Sequence, residues 1–241
     1  MLSWLLKVQG LSKRFGGVQA LSNLTFEVNN GEIFGIIGPN GAGKTTLFNV
    51  ITGIYRPDAG EIQYDGRSIV GLPPHEICRL GIVKTYQIPR PFQRLTVLEN
   101  LLVASVSAQN MKTKEAVEHS VEILKALRLD HLRDIQAGSL LPCQLKMLEL
   151  ARALACKPKL LLLDEPAAGL RGEVEDLIRS IYEISKRGVT IMLVEHRMEV
   201  VTKVGERIIV MQQGTKIFEG KPEEVLASRV VIDAYLGEEA A

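Results

Sequence analysis

The sequence predicts an α/β fold with a mainly parallel sheet. Three apolar runs, at residues 159–163, 189–194 and 207–211, alternate with charged helical stretches such as residues 173–187. This alternation is typical of parallel strands whose two faces are covered by helices. The chain has 241 residues, of which 46% are apolar, and this is enough to form a substantial core.

The first 70 residues are predicted to form short strands joined by turns. Residues 21–28 alternate in part between apolar and polar side chains, which indicates a strand. Residues 60–69 have the pattern of a β-hairpin with Asp65 and Gly66 at its corner. A helix is predicted over residues 44–52, directly after a glycine-rich segment.

Between residues 96 and 155 the pattern changes to helix. Apolar side chains recur at helical spacing over residues 117–127, and Thr113 is the predicted N-cap of that helix. The last helix of the chain is predicted to begin at Pro222, because proline suits the first helical position and two glutamates follow it.

The charges of the chain are balanced, and its cysteines are few. Because the chain has 29 basic and 28 acidic residues, no general attraction to nucleic acid or acidic membranes is expected. Cys78, Cys143 and Cys156 have no metal-ligand spacing, so they are predicted to be reduced, packed thiols of a cytoplasmic protein. No apolar run approaches the roughly 20 residues needed to cross a bilayer.

The glycine-rich segment, called the phosphate loop below, satisfies the pattern G-x-x-x-x-G-K-[ST] and follows the apolar run 33–37. Glycines let consecutive backbone N–H groups turn inward around phosphates, while Lys44 reaches the β- and γ-phosphates and the Thr45 hydroxyl reaches Mg²⁺. The segment therefore predicts a nucleoside triphosphate site. Its members are Gly38, Pro39, Asn40, Gly41, Ala42, Gly43, Lys44, Thr45 and Thr46.

Two further strands end in side chains that suit phosphate chemistry. After the leucine run 160–163, Asp164 is placed to hold Mg²⁺ and Glu165 to polarise the water that attacks the γ-phosphate. After residues 190–194, His196 can hydrogen-bond the γ-phosphate. Each group alone also occurs as an ordinary strand end, so the prediction depends on the phosphate loop. The other histidines, His75, His119 and His131, are expected at the surface.

These motifs resemble the ATP-binding subunits of ABC transporters. The phosphate loop, the strand that ends in Asp164 and Glu165, the segment 167–170 and His196 occur in that family's order and spacing. The resemblance implies a P-loop ATPase core with a mainly parallel sheet, an N-terminal antiparallel β subdomain and an α-helical subdomain. It assigns residues 1–92 and 156–241 to the core and residues 93–155 to the helical subdomain. It also implies ATP and Mg²⁺ as ligands and ATP hydrolysis as the activity.

The resemblance adds two site residues that the pattern alone does not identify. Gln87 matches the family's glutamine, which touches Mg²⁺ and the attacking water and relays its state to membrane subunits. Phe15 matches the family's aromatic residue that stacks on adenine. The implied catalytic residues are then Glu165, His196, Gln87 and Lys44, and the implied metal ligands are Thr45, Gln87 and Asp164.

Three less specific segments resemble the importers of branched-chain amino acids. They are residues 71–77, 96–101 and 234–238. The resemblance implies integral membrane permeases, a second ATPase subunit and, indirectly, a solute-binding protein as partners, at the inner face of the cell membrane. Lipid or lipopolysaccharide export and a soluble regulatory role stay open as alternatives. A GTPase or kinase is disfavoured, since the sequence has no Asn-Lys-x-Asp guanine-binding motif.

The chain departs from the family at residues 140–144, called the signature segment below. The family has Leu-Ser-Gly-Gly-Gln or a near variant there, whereas this chain has Leu-Leu-Pro-Cys-Gln. Leu141 has no hydroxyl for a phosphate, Pro142 has no N–H, and Cys143 adds a side chain where glycine allows close approach. In the family this segment covers the ATP of the opposite subunit, so a slow site is predicted there.

Two arginines also depart from the family pattern. Arg171 stands where the family often has Asn or Asp, and Arg197 stands where Asp is common. These differences favour a heterodimer. In it, a partner with an ordinary signature would complete this chain's own site, and the partner's ATP would be turned over poorly.

Overall fold

A six-stranded sheet lies at the centre of the fold in the computed structural model, which describes residues 3–170 and 172–239. Its strands, in the order β10-β9-β3-β8-β7-β6, are β3 (Ile33–Ile37), β6 (Ile82–Lys84), β7 (Leu160–Asp164), β8 (Thr190–Val194), β9 (Arg207–Gln212) and β10 (Thr215–Gly220). All neighbouring pairs are parallel except β9 and β10. The predicted α/β class with a mainly parallel sheet is confirmed.

The parallel strands separate two hydrophobic cores. Every residue of β3, β7 and β8 is buried, as expected for strands covered on both faces. Because side chains alternate along a strand, Leu160 and Leu162 enter one core and Leu161 and Leu163 enter the other. Asp164 has the same parity as Leu162, so it is directed to the same face of the sheet.

A second, antiparallel sheet covers the core that contains Leu160 and Leu162. It has the order β2-β1-β4-β5, with β1 (Trp4–Phe15), β2 (Val18–Asn29), β4 (Ala59–Tyr64) and β5 (Arg67–Ser68). The predicted hairpin corner is present, since Asp65 and Gly66 adopt φ values of 48° and 77°. A two-residue turn with positive φ at both positions suits the twist of a hairpin.

Helices connect each parallel strand to the next one along the chain, and two further helices follow β10. They are α1 (Lys44–Ile51), α2 (Pro74–Arg79), α3 (Val97–Gln109), α4 (Thr113–Ala126), α5 (Pro142–Ala155), α6 (Val174–Lys186), α7 (Met198–Val204), α8 (Pro222–Ala227) and α9 (Arg229–Glu239). We call α3, α4 and α5 the helical layer. It starts with a capping box, in which the Thr96 hydroxyl accepts from the Glu99 N–H at 3.1 Å and the Glu99 carboxylate accepts from the Thr96 N–H at 2.7 Å.

Three local predictions were wrong. Thr113 is the first residue of α4 rather than its cap, and the cap position is Lys112, which makes no side-chain cap bond. Pro222 begins α8, but a further helix, α9, follows it. His119 is half-buried with its Nε2 atom enclosed, because it faces the inside of the helical layer; His75 and His131 are exposed as predicted.

Within the described residues, we find no helix that combines the length and apolar character required to cross a membrane.

Candidate nucleotide site

The phosphate loop connects β3 to α1 at the carboxyl edge of the parallel sheet. Gly38 and Gly43 adopt φ values of 148° and 97°. A Cβ atom at Gly38 would lie 2.0 Å from the Met211 carbonyl oxygen, and one at Gly43 would lie 2.4 Å from the Ala20 carbonyl oxygen. Glycine is therefore required at both positions, and the loop can present its N–H groups at the start of α1, where anions are favoured.

The predicted phosphate lysine lies inside this loop. The Lys44 Nζ atom donates to the carbonyl oxygens of Gly38 at 2.5 Å and Pro39 at 2.8 Å, and the side chain is buried. These two contacts hold the ammonium group over the loop.

Asp164, the last residue of β7, lies beside Thr45. Its Oδ1 atom is 3.5 Å from the Thr45 hydroxyl, and its Oδ2 atom forms a buried ion pair with Lys84 Nζ at 2.9 Å. The contact exists because Asp164 is directed to the face on which α1 packs. Mg²⁺ prefers carboxylate, hydroxyl and water oxygens, so this donor set fits that ion.

Gln87 and His196 both contact the carboxylate of Glu165. We call these three predicted catalytic residues, which lie outside the phosphate loop, the Glu165 cluster. The Gln87 side-chain amide donates to Glu165 Oε2 at 2.5 Å, and His196 Nε2 lies 2.7 Å from Glu165 Oε1. Glu165 itself has a left-handed φ of 49°, and its N–H donates to the Val194 carbonyl at 2.9 Å. Left-handed backbone is costly for a residue with a Cβ atom, so the surrounding contacts must hold Glu165 in place.

A cleft of about 240 Å³ lies between the phosphate loop and the Glu165 cluster. It is lined by Val18, Gln19, Ala20, Asn40, Gly41, Ala42, Gly43, Lys44, Thr45, Thr46, Glu165 and His196. Phe15 is not among these residues. It ends the preceding strand β1, is 41% exposed, and packs edge-to-face on Tyr55 with 5.0 Å between ring centroids.

A larger cavity, of about 430 Å³, lies away from the phosphate loop, between α4, the start of α5 and α6. Its lining mixes apolar side chains with Arg128, Glu173 and Asp176 and contains no residue of the phosphate loop. The chemical groups, rather than the volume, therefore locate the nucleotide site at the smaller cleft.

Sequence reasoning missed three charged residues of the site. Lys84 pairs with Asp164, and Lys146 approaches the Glu165 cluster from α5. Glu195 is buried and accepts from the N–H groups of Ala167 at 2.6 Å and His196 at 3.3 Å; burial raises its pKa despite these bonds. The position of Glu195 directly after the apolar run 190–194 was the one signal that could have identified it.

The signature segment still starts a helix. Pro142 is the first residue of α5, a position where proline fits, and the Gln144 side-chain oxygen accepts from the Leu141 N–H at 2.8 Å. Leu141 is 60% exposed. The Arg197 guanidinium donates to the Leu170 carbonyl at 3.2 Å, while Arg171 lies outside the described residues.

Comparison with known families matches two models to this chain. The model described as ABC transporter matches residues 21–168. The model described as branched-chain amino acid ATP-binding cassette transporter matches residues 215–241.

Curated relatives match over nearly the whole chain. A probable branched-chain amino acid transport ATP-binding protein, LivG of Archaeoglobus fulgidus, is 44% identical over 97% of this chain and 95% of its own length. The high-affinity branched-chain amino acid transport ATP-binding protein BraF of Pseudomonas aeruginosa is 40% identical over 97% of this chain and 98% of its own length.

Solved structures of the same family superpose closely. An ATP-binding cassette of an ABC transporter in its ADP conformation has a TM-score of 0.90 and 36% identity, covering 98% of this chain and all of the other. A dimeric bacterial ABC transporter cassette has a TM-score of 0.82 and 27% identity, and the match covers 90% of this chain and 98% of the other. Together with the family match over residues 21–168, these similarities show that the chain belongs to the ABC transporter family, as an ATP-binding and ATP-hydrolysing subunit.

Proposed function

We propose that this subunit powers the import of branched-chain amino acids through separate membrane permeases. The observation that carries the proposal is the match of residues 215–241 to a model specific to branched-chain amino acid cassettes, outside the segment that the general ABC model covers. The names of the relatives that match over 97% of the chain support the same substrate class.

In the proposed mechanism, the phosphate loop binds the phosphates of ATP and Lys44 contacts the β- and γ-phosphates. Phe15, supported edge-on by Tyr55, stacks on the adenine ring from outside the cleft. Thr45, Asp164 and Gln87 would hold Mg²⁺, and the bound ion would neutralise charge on the phosphates.

Hydrolysis is assigned to the Glu165 cluster. Glu165 orients and polarises the attacking water as general base, because its carboxylate borders the cleft opposite the phosphate loop. Gln87 and His196 fix the two carboxylate oxygens, and His196, which also lines the cleft, would hydrogen-bond the γ-phosphate. Each contact that needs the γ-phosphate favours the closed dimer, so hydrolysis releases that state.

The altered signature segment makes the proposed dimer asymmetric. Leu141 has no hydroxyl and Pro142 has no N–H, so the ATP bound by the facing subunit loses hydrogen-bond donors to its phosphates. Removing one such donor costs about 3 kcal/mol of barrier in comparable sites. We therefore propose a different ATPase as the partner, whose ordinary signature completes this chain's own site.

The proposed permease contact is an apolar surface beside Gln87. Tyr86, Ile88 and Phe92 are 51%, 70% and 49% exposed, although they follow one another closely on the segment between β6 and α3. A cluster of exposed large apolar side chains is typical of a docking surface. Contact there would place the subunit at the inner face of the membrane and, through the permease, connect it to a solute-binding protein.

A soluble regulatory ATPase is the second candidate, and the altered signature segment is the observation that favours it. Such a protein would close a dimer around ATP without a permease. An ATPase of lipid or lipopolysaccharide export would share most of the same site, so it differs from the first proposal in the transported substrate.

Affinity purification from membranes separates these functions. We expect permeases and a second ATPase to accompany the tagged chain, and uptake of radiolabelled leucine by cells to fall when the wild-type chain is replaced by the Glu165→Gln variant. Recovery of the chain without permeases would favour the regulator. Recovery with permeases but unchanged leucine uptake would exclude the proposed substrate class.

A further inference from the structure

A single ammonium group from the helical layer contacts the backbone of two residues of the Glu165 cluster. Lys146 Nζ lies 2.5 Å from the carbonyl oxygen of Gln87 and 3.4 Å from the carbonyl oxygen of Glu165. Lys146 is on α5, two residues after Gln144, the last residue of the signature segment. One side chain therefore connects the start of α5 to both residues.

The contact acts on a backbone that needs support. Glu165 has a left-handed φ of 49°, which is unfavourable for a residue with a Cβ atom. Its N–H is held by the Val194 carbonyl at 2.9 Å, and its carbonyl accepts from the Ala168 N–H at 3.1 Å. Those bonds come from the parallel-sheet region, whereas Lys146 supplies a bond from the helical layer.

The charge of Lys146 also suits this position. The groups near its ammonium are carboxylates, Glu195, Glu165, Glu149 and Asp164, and each favours the protonated lysine. Burial nevertheless lowers the pKa of Lys146, because removal from water disfavours the charged ammonium form. An ammonium surrounded in this way forms charge-assisted bonds to carbonyl oxygens, which are stronger than neutral ones.

We propose that Lys146 is a positioning residue that couples α5 to the catalytic pair Glu165 and Gln87 of the same chain. The proposal rests on the proposed catalytic roles of that pair. In the proposed dimer, the start of α5 faces the partner's ATP, so a displacement of α5 moves Lys146 and shifts Gln87 and Glu165 in this chain's own site. Lys146 would thus connect the two ATP sites of the dimer through one side chain.

Three variants of the full-length chain test the role. Lys146→Met keeps the length of the side chain and removes its donors, Lys146→Arg keeps charge and donors, and Lys114→Met changes an exposed lysine of α4 as a control. Single-turnover hydrolysis of radiolabelled ATP with protein in excess measures even a slow site. Binding of a fluorescent ATP analogue and thermal unfolding are measured in parallel.

We expect Lys146→Met to lower the single-turnover rate by about ten- to hundredfold, the range expected for a catalytic group displaced by up to about 1 Å. Nucleotide affinity should change by less than about threefold, since the hydrogen bonds of Lys146 go to Gln87 and Glu165 and not to the phosphate loop. Lys146→Arg should recover most of the rate, and Lys114→Met should match the wild type. Rate loss together with an equal loss of nucleotide affinity, or no rescue by arginine, would overturn the positioning role.

A double variant keeps the test decisive if Lys146→Met is less stable. When Lys146 acts through Gln87 and Glu165, adding Lys146→Met to Gln87→Ala should lower the rate by a smaller factor than Lys146→Met does in the wild type. A fully multiplicative loss would overturn the proposal. If the wild-type chain, assayed together with the second ATPase that accompanies it, binds ATP but does not hydrolyse it even in single turnover, the proposed catalytic roles fail, and the Lys146 proposal fails with them. If the wild type is active and Lys146→Met is too, only the Lys146 proposal fails.

Discussion

Replacing Gly43 by alanine should destabilise the chain far more than the same change at Gly41, two residues earlier in the phosphate loop. Both glycines have positive φ, 97° and 75°. They differ in their surroundings, since a Cβ atom at Gly41 meets nothing within 4 Å, whereas one at Gly43 lies 2.4 Å from the Ala20 carbonyl oxygen and 3.1 Å from Leu21 Cδ2. The two variants therefore separate the energetic cost of a left-handed backbone from the cost of a steric clash.

The magnitudes follow from these distances. Left-handed backbone costs alanine about 1 kcal/mol, and this is the whole effect expected for Gly41→Ala. At Gly43 the backbone of β2 must also move, because Cβ contacts shorter than 3.0 Å are essentially never seen in proteins. Overpacking of this kind adds about 1 to 3 kcal/mol, so the total for Gly43→Ala is roughly 3 kcal/mol.

Thermal unfolding followed by circular dichroism, without nucleotide, measures the difference. For a chain of this size, 1 kcal/mol lowers Tm by about 2 to 4 °C, so we expect a decrease of about 2 to 4 °C for Gly41→Ala and about 6 to 12 °C for Gly43→Ala. Equal decreases for the two variants would refute the reasoning, because they would mean that the contact with Ala20 has no energetic effect.

Three further predictions concern catalysis, pH and the dimer. Glu165→Gln should lower the ATP hydrolysis rate by about 10²- to 10⁴-fold and keep ATP binding, which phosphate release and nucleotide titration measure. Burial and the nearby Lys157 lower the pKa of His119 in the folded chain. As the pH is lowered, the unfolded chain therefore takes up a proton on His119 at a higher pH than the folded chain does. The free energy of unfolding should consequently fall as the pH drops below about 6.5. In the non-titrating variant His119→Gln, the free energy of unfolding, measured with urea across that pH range, should fall less steeply. Restoring Ser-Gly-Gly at residues 141–143 should raise the hydrolysis rate of the chain alone by about 100-fold, as expected for recovered phosphate donors.

Matched controls accompany each of these predictions. Glu183→Gln removes an exposed carboxylate of α6 and should leave hydrolysis unchanged; an equal rate for Glu165→Gln and the wild type would contradict the general-base role. The exposed His75→Gln should keep the wild-type pH dependence, and the same slope in His119→Gln would exclude His119 as its source. A brisk rate in the unmodified chain alone would contradict a weak signature segment.

Much of the fold could be predicted because the signals are local. The apolar runs before Asp164 and before Glu195 are uniformly buried strands, as their composition indicates, and the Asp65-Gly66 corner follows from the φ values that these residue types accept. The last helix was misplaced because α8 ends at Ala227, with Ser228 as its C-cap, and a second helix begins at Arg229. No sequence pattern marked that break.

The supporting contacts of the site could not be predicted, because they join distant positions. Lys146 and Gln87 are 59 residues apart, and Lys84 meets Asp164 only after β6 and β7 pair in register. Each lysine taken from the sequence resembles an ordinary surface residue. The proximity of Glu165, Gln87 and His196 is now a geometric fact, whereas their catalytic roles stay predictions.

The alternation of Leu160, Leu161, Leu162 and Leu163 between two cores restricts how this protein can evolve. Inserting one residue into β7 would invert every later side chain of the strand, so that both interiors would be mispacked at once and Asp164 would be turned away from Thr45. Insertions should consequently be absent from this strand in functional descendants, whereas the turn between α3 and α4, which lies outside both sheets, can change length freely.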